Sequence, residues 1–224
     1  PTVQVFILRL CLCTRHWIYN YIFLEMIMAI KSATLTYTGL NNLLLNNPQT
    51  VDRFNHFSRR MAEISAKKTR RTDDDHLEYR NLDLASKIYW DDEIGVYVPE
   101  TWVSESIATS AFNTVKVSKA KVRGALFVTE PKLALKYDKQ EKVKKRDDIV
   151  HNEHFRFLIA LPQGQSRVVK AFPIFHKWSF STTVEFDDAI LDHNMLKRIC
   201  EYSAKYVGFG DLRPTFGRAT VEVK

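Results

Sequence analysis

Tyr206-Val207-Gly208-Phe209-Gly210-Asp211-Leu212-Arg213-Pro214-Thr215-Phe216-Gly217-Arg218 stands between a helical pattern and an alternating strand pattern. Three of the chain's seven glycines fall inside it. Glycine admits a positive φ and lets the backbone approach a ligand closely, with main-chain N–H groups turned outward. Arg213 and Arg218 share the loop, so amide donors and two guanidinium forks can address one anion, and nucleic acid is the commonest phosphate-rich partner. A competing reading is purely structural: a helix C-cap at Gly208, a turn at Gly210 and Pro214, and an arginine paired with Asp211.

The rest of the composition bounds this choice. The 224 residues fit one large domain or two small ones, and 45% apolar content supplies a core. A formal charge of +7 favours a polyanionic partner. Cys11, Cys13 and Cys200 are too few and too badly spaced for a disulfide framework or a zinc site, which fits a reducing cytoplasm. Cys200 reads as a small core residue on an apolar helix face.

Residues 1–27 differ in character from the remainder of the chain. The sequence starts at Pro1, and charges at Arg9, Arg15 and Glu25 interrupt the apolar run well short of the ~18 residues that a membrane span needs. No cleavage site of secretory type is present after it. The segment reads as upstream sequence translated ahead of a start at Met26 or Met28, with a short membrane-associating helix as the other option.

From Ile30 to Gly39 a first strand is expected, rich in β-branched residues. Val51, Phe54, Phe57, Met61 and Ile64 then recur at helical spacing as one apolar face. That helix runs into Lys67-Lys68-Thr69-Arg70-Arg71, the densest basic cluster, which is either a solvated loop or a contact for nucleic acid. Thr72 and Asp75 have capping-box spacing, which accounts for Asp73-Asp74-Asp75 without a metal. A hairpin is expected around Trp90 and Val96, a helix after Pro99, strands at Lys121–Val128 and Lys132–Tyr137, and a charged mobile loop over 138–148.

In the last third, Phe155–Ile159 and Arg167–Ala171 read as strands joined by Gln163-Gly164-Gln165. Trp178, Phe180, Thr182, Val184 and Phe186 alternate with polar neighbours, and Asp192 caps a helix with Leu196, Ile199 and Cys200 on its buried side. The order β–α–(insertion)–β–β–α–β predicts a single α+β domain over 28–224. Its expected form is a ferredoxin-like antiparallel sheet with helices on one face and a large insertion over about 67–148.

The helix, the glycine-rich loop ending in Phe216-Gly217-Arg218 and the short last strand resemble the RAMP superfamily, the RRM-like, RNA-binding proteins of CRISPR effector complexes, and among them the backbone-forming members. The likeness implies a loop that packs on the sheet and touches an RNA backbone through Gly208, Gly210, Gly217 and Arg218, with Arg213 as an added donor. The chain departs from the family's frequent Gly-x-Gly in the second half of that loop. Lys67-Lys68 with the acidic helix after it, Ile88-Tyr89-Trp90, Pro173 to Trp178 and the Gly208–Arg218 motif are also similar to uncharacterised phage-encoded proteins. That second likeness implies no activity.

These readings lead to a non-enzymatic binder of single-stranded RNA or DNA, able to assemble along the strand, without cofactor, metal or membrane. Lys67, Lys68, Arg70 and Arg71 would join Arg213 and Arg218 on phosphates, and Tyr37 or Phe209 would stack a base. Two alternatives remain: a phage counter-defence protein that takes a small nucleotide signal or mimics a CRISPR subunit, and a metal-independent RNase. The RNase would use a histidine, of which His176 is a better candidate than His151 or His154.

Overall fold

Alternation in the Ile30–Gly39 stretch puts Ala33, Leu35 and Tyr37 on one side of strand β1 and Ser32, Thr34, Thr36 and Thr38 on the other. The computed structural model describes residues 30–164 and 166–224; the leader reading for 1–27, with Cys11, Cys13 and the Met26 or Met28 start, lies outside them. Strand β1 sits inside a four-stranded antiparallel sheet. It pairs with β9 (Ser179–Asp187) on one side and β10 (Ala219–Val223) on the other, while β5 (Leu126–Val128) extends the sheet beyond β9.

Numbered along the chain, these four strands lie in the order 4-1-3-2. Helix α3 (Glu100–Val115) falls between the first and second, and helix α6 (His193–Tyr202) between the third and fourth. The two helices pack on each other, burying Val103, Ile107 and Ala111 with Leu196, Ile199 and Cys200. The mixed helix-and-sheet class is α+β, as expected.

Two further sheets are built on this unit. Strand β2 (Leu43–Leu44) pairs with β8 (Ser166–Phe175), which pairs with β7 (Arg156–Gln163). Strands β3 (Trp90–Asp91), β4 (Gly95–Pro99) and β6 (Lys132–Ala134) form the third, tied to β9 by a bridge between Lys136 and Ser179. Helices α1 (His56–Ala66) and α2 (Asp73–Ser86) pack together, and α2 lies on β8. There Lys87 donates to Asp83 and to the Ala171 carbonyl, both at 2.6 Å. Short helices α4 (Lys119–Ala125) and α5 (Arg146–Val150) complete the set.

Several elements depart from their sequence reading. Residues 67–148 are no peripheral insertion, since they supply α3 and β5 to the central unit. Strands β7 and β8 belong to the second sheet instead. Lys121–Val128 is helical up to Ala125 because the Ser118 side chain caps α4 at the Lys121 amide, leaving three residues for the strand. Helix α5 begins inside the expected loop at Arg146 and runs past its end, where it buries Ile149 and Val150. Asn55 caps α1, so Val51 and Phe54 precede the helix and are 86% and 62% exposed.

Among the described residues, no helix covers the other side of the central sheet. Pairing aligns Thr34 with Thr183, Thr36 with Ser181 and Glu222, and Thr38 with Ser179 and Thr220. Glu185 lies opposite Ser32 and Phe127, and Asp187 opposite Ile30. The register therefore makes a hydroxyl-rich surface with three carboxylates.

Candidate nucleic-acid interface

Phe209 decides how the C-terminal loop sits. Its ring is fully buried, 4.9 Å from Tyr37 and 5.3 Å from Phe180, and meets Trp178 edge-on. Buried apolar area of this size anchors the chain just where α6 has ended in a wider turn, Ser203–Val207. Tyr37 is equally buried, and burial raises its hydroxyl well above the usual range. Neither ring can stack a base from solvent, so both are removed from the candidate interface and belong to the core.

The glycine amides are mostly spoken for. Gly208 N–H donates to the Ser203 carbonyl at 2.8 Å, and Gly217 N–H to the Asn42 carbonyl at 2.9 Å. Phe209 N–H returns to the Gly217 carbonyl at 2.8 Å, closing the loop across its neck. At Gly210 the backbone passes so near Leu44 that a Cβ would lie 2.3 Å from its carbonyl oxygen. Gly208 and Gly217 thus shape the loop and do not offer amides to phosphate; steric closeness, not ligand approach, demands glycine here.

Asn41, Asn42 and Asn46 hold the loop from outside. Asn41 donates to the Thr215 carbonyl and accepts from Arg218 N–H, both at 2.8 Å. Asn46 donates to Asp211 at 2.5 Å. With Asp211 engaged this way, the expected pairing of an arginine with it is not formed. Arg218 donates its Nε to the Pro214 carbonyl at 2.8 Å. Both arginines are exposed, and among the described residues neither forms an ion pair with a carboxylate. Leu212 and Phe216 pack on the β2-β8-β7 sheet, with Phe216 5.2 Å from Phe157.

The basic cluster divides. Lys67 forms an ion pair with Asp75 at 2.5 Å, and that hydrogen bond holds the Asp75 carboxyl below its ordinary range. Arg71 donates to the Ser65 carbonyl at 3.1 Å. Lys68 and Arg70 remain exposed. The expected capping box of Thr72 and Asp75 is present. Because α1 and α2 form a helical hairpin, this cluster sits at the far end of α1 from Asn46, one helix length of ~16 Å away.

His176 is a strut beneath the loop. Its Nδ1 is 2.9 Å from Asn42 Oδ1 and its Nε2 is 3.3 Å from the His154 carbonyl. Lys139 contacts His154 Nδ1 at 3.0 Å, and the two imidazole rings are 4.7 Å apart. Burial, then the charges of Lys139 and His176, hold His154 below the ordinary histidine range, with Asp138 opposing them. The native state then binds fewer protons than the unfolded chain, so stability falls as pH drops through about 6.5. We expect a lower urea midpoint at pH 5.5 than at pH 7.5, and a smaller difference in His154→Asn. An equal difference in that variant would remove His154 as the source.

Sequence reasoning overlooked Arg53, Phe54 and Arg59 by assigning Phe54 to a buried face. Both guanidinium groups lie over the exposed Phe54 ring, at 4.8 and 5.6 Å. Asn55, a strong N-cap residue, was the signal that places Phe54 outside the helix.

No family model matches the chain. No curated protein matches it in sequence either. Solved structures do show likeness. A chain of the Type III-B Cmr-beta bound to cognate target RNA aligns with a TM-score of 0.45 and 8% identity, over 94% of this chain and 66% of that one. Cmr6 from Pyrococcus furiosus aligns with a TM-score of 0.31 and 12% identity, over 86% of this chain and 97% of its own. The chain thus spans a little under two thirds of the first of these. No helix among the described residues is long and apolar enough to cross a membrane.

Proposed function

We propose that this protein is a non-enzymatic binder of single-stranded nucleic acid, RNA in the first place, built on a ferredoxin-like unit of RAMP type and working in the cytoplasm of a bacterium or an infected host. One observation carries the reading: Arg213 and Arg218 stand in solvent, with no carboxylate partner among the described residues, on a loop fixed by Phe209 and three asparagines. A loop already held in place has little backbone freedom left to lose when its arginines meet phosphate. Lys68 and Arg70 extend the positive surface at the far end of α1. The glycines contribute shape, and the arginines contribute the contact.

The test is anisotropy with labelled single-stranded RNA, single-stranded DNA and a mononucleotide at two salt concentrations. Polynucleotide affinity should fall steeply with salt, with a slope near −0.7 per phosphate contacted, whereas a mononucleotide pocket would respond weakly. Replacing Arg213 and Arg218 together by Ala should weaken binding at least about 30-fold, equivalent to about 2 kcal/mol. The slope should flatten by about 1.4. Wild-type affinity in a folded double variant would withdraw the loop from the interface.

A further inference from the structure

Phe54 is 62% exposed and carries two guanidinium groups over its ring, whereas Phe57, three residues on, is buried in the core. The turn that presents it is held in place. Phe54 N–H donates to Asp52 Oδ1 at 2.9 Å, and Asn55 Oδ1 accepts from Phe57 N–H at 2.9 Å, so the ring is fixed outward at the start of α1. Arg53 and Arg59 come at the ring from its own turn and from the helix, each within cation–π range.

Two residues beyond Phe54, His56 lines a cavity of about 310 Å³ together with Trp90, Lys145 and Arg146. Arg146 lies 5.4 Å from the Phe57 ring, and its buried Nε has no hydrogen-bond partner. Asp92 and Asp147 are the carboxylates in the cavity wall, where they face Lys145 and Arg146, and Asp92 accepts from Trp90 Nε1 at 2.9 Å. Aromatic faces interleaved with cations along one edge are what a flexible single strand requires: a flat surface for a base and a positive group for each neighbouring phosphate. A protein partner would be served by the ring but not by the row of cations, and the overall charge of +7 favours the polyanion.

We propose that Phe54, with Arg53 and Arg59, is a base-stacking station for single-stranded nucleic acid, and that the adjoining His56–Trp90–Arg146 cavity receives the next nucleotide. This rests on the reading that the chain binds such strands, and it adds a contact separate from the Arg213–Arg218 loop. Stacking acts on bases, while the loop acts on the backbone, so the two can be told apart.

The experiment uses the full chain with labelled twelve-nucleotide oligo(U) RNA, oligo(dT), and an abasic twelve-mer of the same backbone. Phe54→Ala should weaken oligo(U) and oligo(dT) binding about tenfold with the salt slope unchanged, and leave abasic binding as it was. Phe54→Trp should restore it. Arg53→Ala with Arg59→Ala should flatten the slope by about 1.4. Circular dichroism and thermal midpoint should not move in any of these exposed variants. Wild-type oligo(U) affinity in Phe54→Ala, alongside a loss in the Arg213→Ala, Arg218→Ala variant, would overturn the stacking station alone. Absence of binding by the unaltered protein would overturn both readings.

Discussion

Gly217→Ala is expected to lower stability by roughly 2–5 kcal/mol, the sum of a left-handed conformation forced on a β-carbon and an overpacked neck. Gly217 has φ +75°, and an added Cβ would fall 1.8 Å from the Phe209 carbonyl oxygen, well inside contact distance. The obstruction is backbone, so no side chain can rotate away. The Phe209 N–H to Gly217 carbonyl bond and the Gly217 N–H to Asn42 bond must then lengthen or break. Arg218 is the next residue, so binding should weaken along with stability. Urea denaturation measures the loss, and Gly124→Ala is the control: a Cβ there meets nothing within 4 Å on helix α4, and Ala should be neutral or stabilising by about 0.5–1 kcal/mol. Equal midpoints for the two variants would mean that the loop neck is looser than this geometry.

Trp178→Ala should remove about 3–5 kcal/mol, as truncating a fully buried aromatic does. Its ring is completely enclosed, stacks at 5.9 Å on Phe180 and covers Gly39, and its Nε1 donates to the Asn41 carbonyl at 2.7 Å. The substitution opens a cavity and takes a donor from the chain that carries the asparagine clamps of the loop. Against the roughly 5–15 kcal/mol that holds an ordinary domain, this leaves a marginal protein. Denaturant unfolding with an unchanged m-value and a far lower midpoint is the expected signature. A loss under ~1.5 kcal/mol would mean that the surrounding aromatics close the gap.

Legibility in the sequence tracked the strength of local signals. Strand β9 alternates without exception, and helix α6 has both a cap and an apolar face, so both stand where expected. Strand β5 has only three residues and comes directly after a helix, which gives alternation no length in which to show. Its partner strand β9 is far along the chain, and pairing at that distance leaves no local trace. Within the site, Arg213 and Arg218 were legible as charges near glycine. That Gly208 and Gly217 spend their amides internally, and that Tyr37 and Phe209 meet in the core, depends on Asn42 and Phe180 arriving from elsewhere in the chain. Propensity cannot report such long-range satisfaction of donors.

The uncovered face of the central sheet has a directional consequence. An RRM-like reader lays its strand across exposed aromatics on the sheet, but among the described residues those rows are mostly threonine and serine, and Lys224 opposite Thr34 and Lys136 opposite Ser179 stand with the carboxylates of Glu185, Asp187 and Glu222. On the proposed reading, a face of nearly balanced charge draws a polyanion less than the exposed guanidinium groups of Arg53, Arg59, Arg213 and Arg218 do. Approach of the proposed partner would then be one-sided before any contact forms, with the hydroxyl plane turned away from the strand.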